Sequence, residues 1–262
     1  MKDHGSRISE VRHPDIRHLK PIVVAVLMLM PGAPASAQDP LSLLFGMEAA
    51  YARVTSYTAR FVRQELVRDI LRPREEALLK YQRPGRIYLR WISGPPKGRE
   101  ILFVEGRDNN RMLVHEPGVL SLFSTIVMAP GHPRVLQESR HPVTDIGIGR
   151  LIELILDNVR RARGTGELSL LEQEVAGGDG RPERGLEVVL SRERSKHDDS
   201  YRLSLSVDAG SGLPVRATVY DWEDHPVADY AYLDLRINPE LTARDFDPEN
   251  PAYGFPRWRI NR

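Results

Sequence analysis

Hydrophobic positions repeat with two different periods along this 262-residue chain. Leu43, Leu44, Met47, Ala50 and Tyr51 recur at helical spacing behind Asp39-Pro40, a carboxylate cap followed by proline at the first helical position. They predict a helix over residues 40–54. At Ser56 the period drops to two: Tyr57, Ala59 and Phe61 alternate with Thr58, Arg60 and Val62. Strands follow over 76–81 and 86–92, where Ile87, Leu89 and Trp91 share a face, and over 100–105 and 110–114. Leu151, Ile152, Ile155, Leu156 and Val159 then form a wide helical stripe. It ends at Arg160, Arg161 and Arg163 with Gly164 as the stop. These arginines complement the negative end of the helix dipole and need no phosphate to explain them.

Beyond Gly164 the period is again two. Strands are predicted over 168–175, 186–191, 201–207, 215–222 and 230–237, with a turn at 177–181. Tyr201, Leu203, Leu205 and Val207 alternate faultlessly, and Ala209-Gly210-Ser211-Gly212 makes a hairpin turn. Only 117–142 has no clean period. Leu120, Leu122, Phe123, Ile126, Val127 and Met128 are followed by the breakers Pro130-Gly131 and His132-Pro133, which predicts a long irregular excursion. About ten strands at meander spacing with two helices indicate an α+β fold. Its antiparallel sheet has one buried face, and the two apolar-striped helices are what can cover it.

The first 37 residues read differently. A basic stretch ending at Lys20 precedes the apolar run Ile22–Met30, which Pro31-Gly32 breaks before Ala35-Ser36-Ala37. That is the layout of a secretory signal cleaved after Ala37, leaving 38–262 as a single exported domain. The run is far shorter than the ~20 residues of a stable membrane span. Such a signal would export the domain from the cytoplasm.

Charge excludes some partners. Residues 1–37 carry five of the 37 basic and three of the 36 acidic residues, so the remainder is nearly neutral. No global field recruits nucleic acid or an anionic membrane surface. There is no cysteine, hence no disulfide, thiolate metal site, cysteine nucleophile or lipidated N-terminal cysteine. No phosphate-binding glycine loop, nucleophile elbow or helical zinc motif occurs. Gly147-Ile148-Gly149 imitates a dinucleotide loop but lacks a third glycine and a parallel setting, so it reads as helix-entry geometry.

No cofactor or metal is expected. His197-Asp198-Asp199 and Asp224-His225 set carboxylates beside imidazoles but read as polar turns. Glu75-Glu76 and Asp221, Glu223 and Asp224 offer acids without naming a nucleophile or base, so no enzyme is predicted. The aromatic set Trp91, Trp222, Trp258, Tyr57, Phe61, Tyr81 and Tyr88 fits either the walls of an apolar cavity or the ordinary core of a β domain.

Several short patterns go further. Val54, Ser56, Ala59, Phe61 and Gln64 form one; Pro84-Gly85-Arg86 with Trp91 a second; Val207-Asp208 with Gly212-Leu213-Pro214 a third; Phe246-Asp247-Pro248 the last. In this order they resemble the Lol lipoprotein-carrier superfamily of the Gram-negative periplasm. Within it the chain is most similar to the bacterial family called domain of unknown function 1571. That likeness rests on Tyr57-Thr58-Ala59-Arg60-Phe61, Arg140-His141-Pro142-Val143-Thr144, Gly147-Ile148-Gly149-Arg150-Leu151 and Phe246-Asp247-Pro248-Glu249-Asn250-Pro251, and spans residues 41–253.

The resemblance implies an unclosed, LolA-like β half-barrel with helices across its mouth. Its partner would be a lipid or lipoprotein acyl chain. Phe61, Leu89, Trp91, Leu102, Leu203 and Leu205 are the expected cavity lining, and the helix carrying Leu151 and Ile155 the expected lid. A regulatory module of the same fold would instead dock an envelope protein, with 117–142 as the contact surface. An enzyme would depend on His141 or Asp145.

Overall fold

A computed structural model describes residues 40–118, 125–162, 168–175, 182–190 and 201–255. The expected signal segment 1–37, the expected Asp39 cap, Leu120, Leu122, Phe123, Gly164, the expected 177–181 turn, His197–Asp199 and Trp258 lie outside the described residues. All described elements fall in one compact unit, Ala37–Arg262.

Twelve strands form one antiparallel sheet: β1 (Ser56–Val67), β2 (Ile70–Leu71), β3 (Glu75–Gln82), β4 (Arg86–Ser93), β5 (Glu100–Val104), β6 (Met112–His115), β7 (Thr125–Met128), β8 (Leu168–Val175), β9 (Glu183–Leu190), β10 (Arg202–Asp208), β11 (Pro214–Tyr220) and β12 (Pro226–Ile237). The order across the sheet is β7-β6-β5-β4-β3-β1-β12-β11-β10-β9-β8, with β2 attached to β1 alone. The sheet is thus two meanders joined where the first strand pairs with the last. Its outer strands β7 and β8 do not meet, so the sheet is unclosed.

This topology dictates where the helices lie. The chain leaves the sheet at one edge, β7, and re-enters at the other, β8. The link must therefore cross a face of the sheet. It contains α2 (Pro133–Leu136), a 3-10 turn at Val143–Asp145, and α3 (Ile148–Ala162). α3 turns Ile148, Ile152, Ile155, Leu156 and Val159 into the core. α1 (Pro40–Ala52) buries Leu43, Leu44, Met47 and Ala50 against the same interior. Arg160 and Glu48 bridge the two helices at 3.1 Å. Gly149 is required where they cross: an added Cβ would lie 2.2 Å from the Tyr51 ring.

The turn between β10 and β11 explains one sequence pattern. Asp208 Oδ1 accepts the Ser211 N–H at 2.7 Å, Gly212 takes φ +69°, and Leu213 enters the core.

A second, smaller cluster covers the opposite face. Tyr88, Leu102 and Leu113 are buried there by Phe246 and Phe255 from the C-terminal segment. Tyr253 stacks on Tyr88 at 3.9 Å between centroids, Lys80 bonds Asp245 at 2.7 Å, and Glu100 accepts the Gly254 N–H at 3.0 Å. The Phe-Asp-Pro pattern is part of a strap that seals the outside of β3–β6.

Two strands exceed the expectation. β2 is only two residues long, and β7 lies inside the stretch read as irregular. Thr-Ile-Val-Met has no apolar-polar period because neither of its faces is fully buried or fully exposed. α2 follows it, capped by His132, whose Nδ1 accepts the Arg134 N–H.

Candidate functional site

The interior face of the sheet changes character along β1. Side chains at odd positions point inward. Tyr57, Ala59 and Phe61 are followed on that face by Arg63 and Glu65, which stay buried. At the Tyr57 end the interior is packed solid. Tyr57 stacks on Tyr81 at 4.8 Å and its hydroxyl accepts the Ile148 N–H at 3.0 Å, while the Tyr232 hydroxyl donates to the Ile146 carbonyl. These tyrosines seat the start of α3.

At the other end α3 stands off the sheet and leaves a chamber of about 320 Å³. Its apolar walls include Phe61, Leu203 and Val219 from the sheet and Leu151, Leu154 and Ile155 from α3. Leu151, Leu154, Leu203 and Val219 are only half-buried, and His141 at the rim is exposed. The greasy wall therefore reaches solvent. A smaller chamber of about 140 Å³ lies beside Trp91, Met112 and Met128. The two share Arg63, Ser139, His141 and Ile146 as a common partition.

The partition is polar and internally satisfied. Glu75 Oε2 accepts from Arg63 Nε at 2.9 Å and from Trp91 Nε1 at 2.9 Å, and its ion pair with the Arg63 terminal nitrogen is 2.8 Å long. Glu65 accepts the Tyr230 hydroxyl at 2.6 Å and the Arg140 N–H at 3.4 Å, and lies 3.8 Å from the Arg63 guanidinium. The Arg140 guanidinium donates to the Leu66 carbonyl at 3.1 Å. Burial pushes the Tyr230 hydroxyl far above its ordinary acidity range, and the adjacent Glu65 charge and hydrogen bond act in the same direction. Buried charges persist only when paired in this way.

The expected lining residues divide by location. Phe61, Leu203, Leu151 and Ile155 face the larger chamber, and Trp91 the smaller. Leu89 and Leu205 are fully buried in the packed core and touch neither. Leu102 departs from the expectation: it pairs with Tyr88 and lies on the outer face beneath the strap. The inner face of β5 is Ile101 and Phe103 instead. Among the other aromatics, Tyr57 and Tyr81 sit under α3, Tyr88 is outside, and Trp222 stacks on Tyr201 at 4.9 Å.

Arg63, Glu65, Glu75, Arg140 and Tyr230 were missed as site residues. A signal existed: Arg63 and Glu65 continue the inward period of Tyr57, Ala59 and Phe61. The residues weighed for acid–base chemistry have ordinary partners. Asp145 faces Arg150 at 3.7 Å, Asp221 faces His225 at 3.7 Å, and Asp224 pairs with Arg202 at 2.8 Å. Among the described residues no group of three or more metal-ligating side chains is assembled, and no helix is long and apolar enough to cross a membrane.

The family whose description is "Protein of unknown function (DUF1571)" matches residues 54–255. The chain belongs to this family. The match takes in β1 through the outer strap, so the chamber, its partition and the Arg140–Thr144 segment all lie within the family domain. No curated protein matches the chain.

Three solved structures with a similar arrangement are remote in sequence. LprF from Mycobacterium bovis is 12% identical with a TM-score of 0.45, covering 77% of this chain and 94% of that one. A LolA superfamily protein from Nitrosomonas europaea is 14% identical with a TM-score of 0.34, covering 79% and 97%. The MucA/MucB complex of Pseudomonas aeruginosa contains a chain 13% identical with a TM-score of 0.41, covering 80% of this chain and 60% of that one.

Proposed function

We propose that this DUF1571 domain is an exported binding protein that holds an apolar group, a lipid or the acyl chain of a lipoprotein, in the larger chamber. The observation that carries this reading is the half-exposed apolar wall formed by Leu151 and Leu154 of α3 opposite Leu203 and Val219 of the sheet. An acyl chain gains ~0.8 kcal/mol for each CH₂ removed from water, so such a wall provides affinity without any reactive group. α3 serves as the lid, with Leu151 and Ile155 against the ligand. Phe61 and Leu203 form the floor, and Trp91 would contribute where a longer chain crosses the partition into the smaller chamber.

Export agrees with this role, since residues 1–37 have the layout of a signal and none of the described helices could anchor the domain. The intact mass of protein recovered from the periplasm of a Gram-negative host tests it. A chain beginning at Gln38 supports the reading; unprocessed chain retained in the cytoplasm opposes it. Mass spectrometry of organic extracts from the natively purified protein tests the ligand class. Stoichiometric lipid supports carriage, and its absence from protein that also binds no added fatty acid argues against it.

A second reading is a module that docks an envelope protein. It is favoured by β7, an edge strand among the described residues, with Val127 46% exposed and Leu136 of the following α2 37% exposed. A periplasmic pull-down that depends on residues 117–142 would support it over carriage.

A further inference from the structure

Beyond Glu65, β1 outruns its neighbours. Its pairing with β12 ends at Glu65–Ala228, and its pairing with β3 starts at Arg63–Glu75. Leu66 and Val67 pair only with Leu71 and Ile70 of β2, so 66–71 form a hairpin projecting past both flanking strands. Its two-residue turn, Arg68-Asp69, holds both residues at positive φ, 51° and 61°. That is the turn hairpins prefer, but it is normally filled by Asn-Gly or Asp-Gly. Non-glycine residues held there carry backbone strain, which marks functional segments more often than passive ones.

The side chains on this tip are unusual for a free surface. Ile70 is 60% exposed and Leu71 59%, and as consecutive strand residues they project from opposite faces of the hairpin, so both sides of the tip are apolar. Around them stand Arg68, Arg72, Arg74 and, through its bond to the Leu66 carbonyl, Arg140. The described acidic residues here are Asp69 in the turn, Asp229, 3.6 Å from Arg74, and buried Glu65, which accepts the Arg140 N–H at 3.4 Å. Neither Arg68 nor Arg72 enters an ion pair among the described residues, and Arg72 Nε is buried with no hydrogen-bond partner. The turn between β11 and β12, at the same end of the sheet, is acidic through Asp221, Glu223 and Asp224.

We infer that the β1–β2 hairpin docks the protein on a membrane surface bearing anionic lipid headgroups, with Ile70 and Leu71 inserted between them. Two apolar side chains on a narrow tip are too small a patch for a stable protein–protein interface. They suit a bilayer surface, where a shallow apolar wedge and a ring of basic residues act together and either alone is too weak for stable attachment. The tip also lies where a lipid would enter or leave. Only about three residues, roughly 10 Å of strand, separate it from Glu65 in the chamber partition, and Arg140 and His141 connect the hairpin to the chamber rim.

The test is cosedimentation of the chain, purified from the soluble extract of an exporting host, with vesicles. Vesicles containing phosphatidylglycerol are compared with vesicles of phosphatidylcholine alone. The expected result is binding to the anionic vesicles that falls with added salt and weakens roughly tenfold or more in I70S/L71S. The tip is exposed, so thermal unfolding of the variant should match wild type. Equal binding of wild type and I70S/L71S, or no preference for the anionic vesicles, overturns the inference. So does unchanged vesicle binding accompanied by Ile70-dependent crosslinking to an acidic protein. Fatty-acid binding to the same two proteins is measured in parallel. It reports on the chamber alone, so failure of the hairpin and failure of the carrier reading give different results.

Discussion

Tyr230 donates its hydroxyl hydrogen bond to Glu65 across the seam where the first and last meander strands pair, at 2.6 Å and two residues out of register. Ala228 is the residue opposite Glu65, and Tyr230 is opposite Arg63. The diagonal contact ties β12 to the polar partition of the chamber. Tyr230→Phe leaves a buried carboxylate oxygen short of a donor without opening a large void. The expected loss is about 1–3 kcal/mol, read from urea unfolding. Tyr230→Phe should leave the larger chamber's apolar walls in place, so ligand affinity should fall much less than stability.

Where α1 crosses α3, Gly149→Ala would set a methyl group against the Tyr51 ring. Overpacking of this kind costs about 1–3 kcal/mol. Tyr51→Ala in the same chain should recover part of the loss, because the clash is with that ring. A double-mutant cycle by thermal unfolding measures the coupling. Strictly additive effects would mean that the helices do not meet at this pair.

The outer strap should respond to pH at both extremes. Burial opposes the charge on Asp245, but hydrogen bonds from Lys80 and Thr242 outweigh it and hold its pKa below the ordinary 3.8. Its contribution to stability is present above that value and lost as pH falls through the lower folded value. Burial likewise opposes the charge on Lys80, yet its bonds to Asp245 and Tyr253 raise its pKa above 10.5. That contribution is complete below 10.5 and lost as pH rises through the higher folded value. Exchange protection of the Tyr253 and Phe255 amides should therefore be flat across neutral pH and fall at both ends. Lys80→Met should remove the alkaline fall.

How far the sequence revealed this fold depends on how each face is covered. β10 alternates cleanly and its pattern located it to within a residue or two. β5 is Glu-Ile-Leu-Phe-Val, with four of its five residues buried, because helices cover one face and the Tyr253–Phe255 strap the other. Alternation then cannot distinguish inside from outside, which is why Leu102 was expected in the cavity and Ile101 was not. The site failed for the opposite reason. Arg63 and Glu65 have the right period for the interior, but period alone does not lead one to expect a charged side chain there. Only their pairing with Glu75 and Tyr230, from strands distant in sequence, makes burial tolerable. The short β2 and the period-free β7 gave local patterns too brief to rank above a loop. The family patterns reached further than periodicity, since Arg140–Thr144 falls at the partition and Gly147–Leu151 at the start of α3.

The central claim is that the space between α3 and β10–β12 takes up an apolar chain, and titration of the delipidated protein with a fluorescent fatty acid tests it most directly. Leu203→Trp extends an indole into the chamber from a half-buried position, and Leu102→Ala removes an apolar side chain from the outer face, away from the chamber. Wild type should bind saturably, Leu203→Trp should bind about tenfold or more weakly, worth roughly 1.4 kcal/mol, and folded Leu102→Ala should keep the wild-type affinity. Absence of saturable binding by wild type, or equal binding by folded Leu203→Trp, would contradict it.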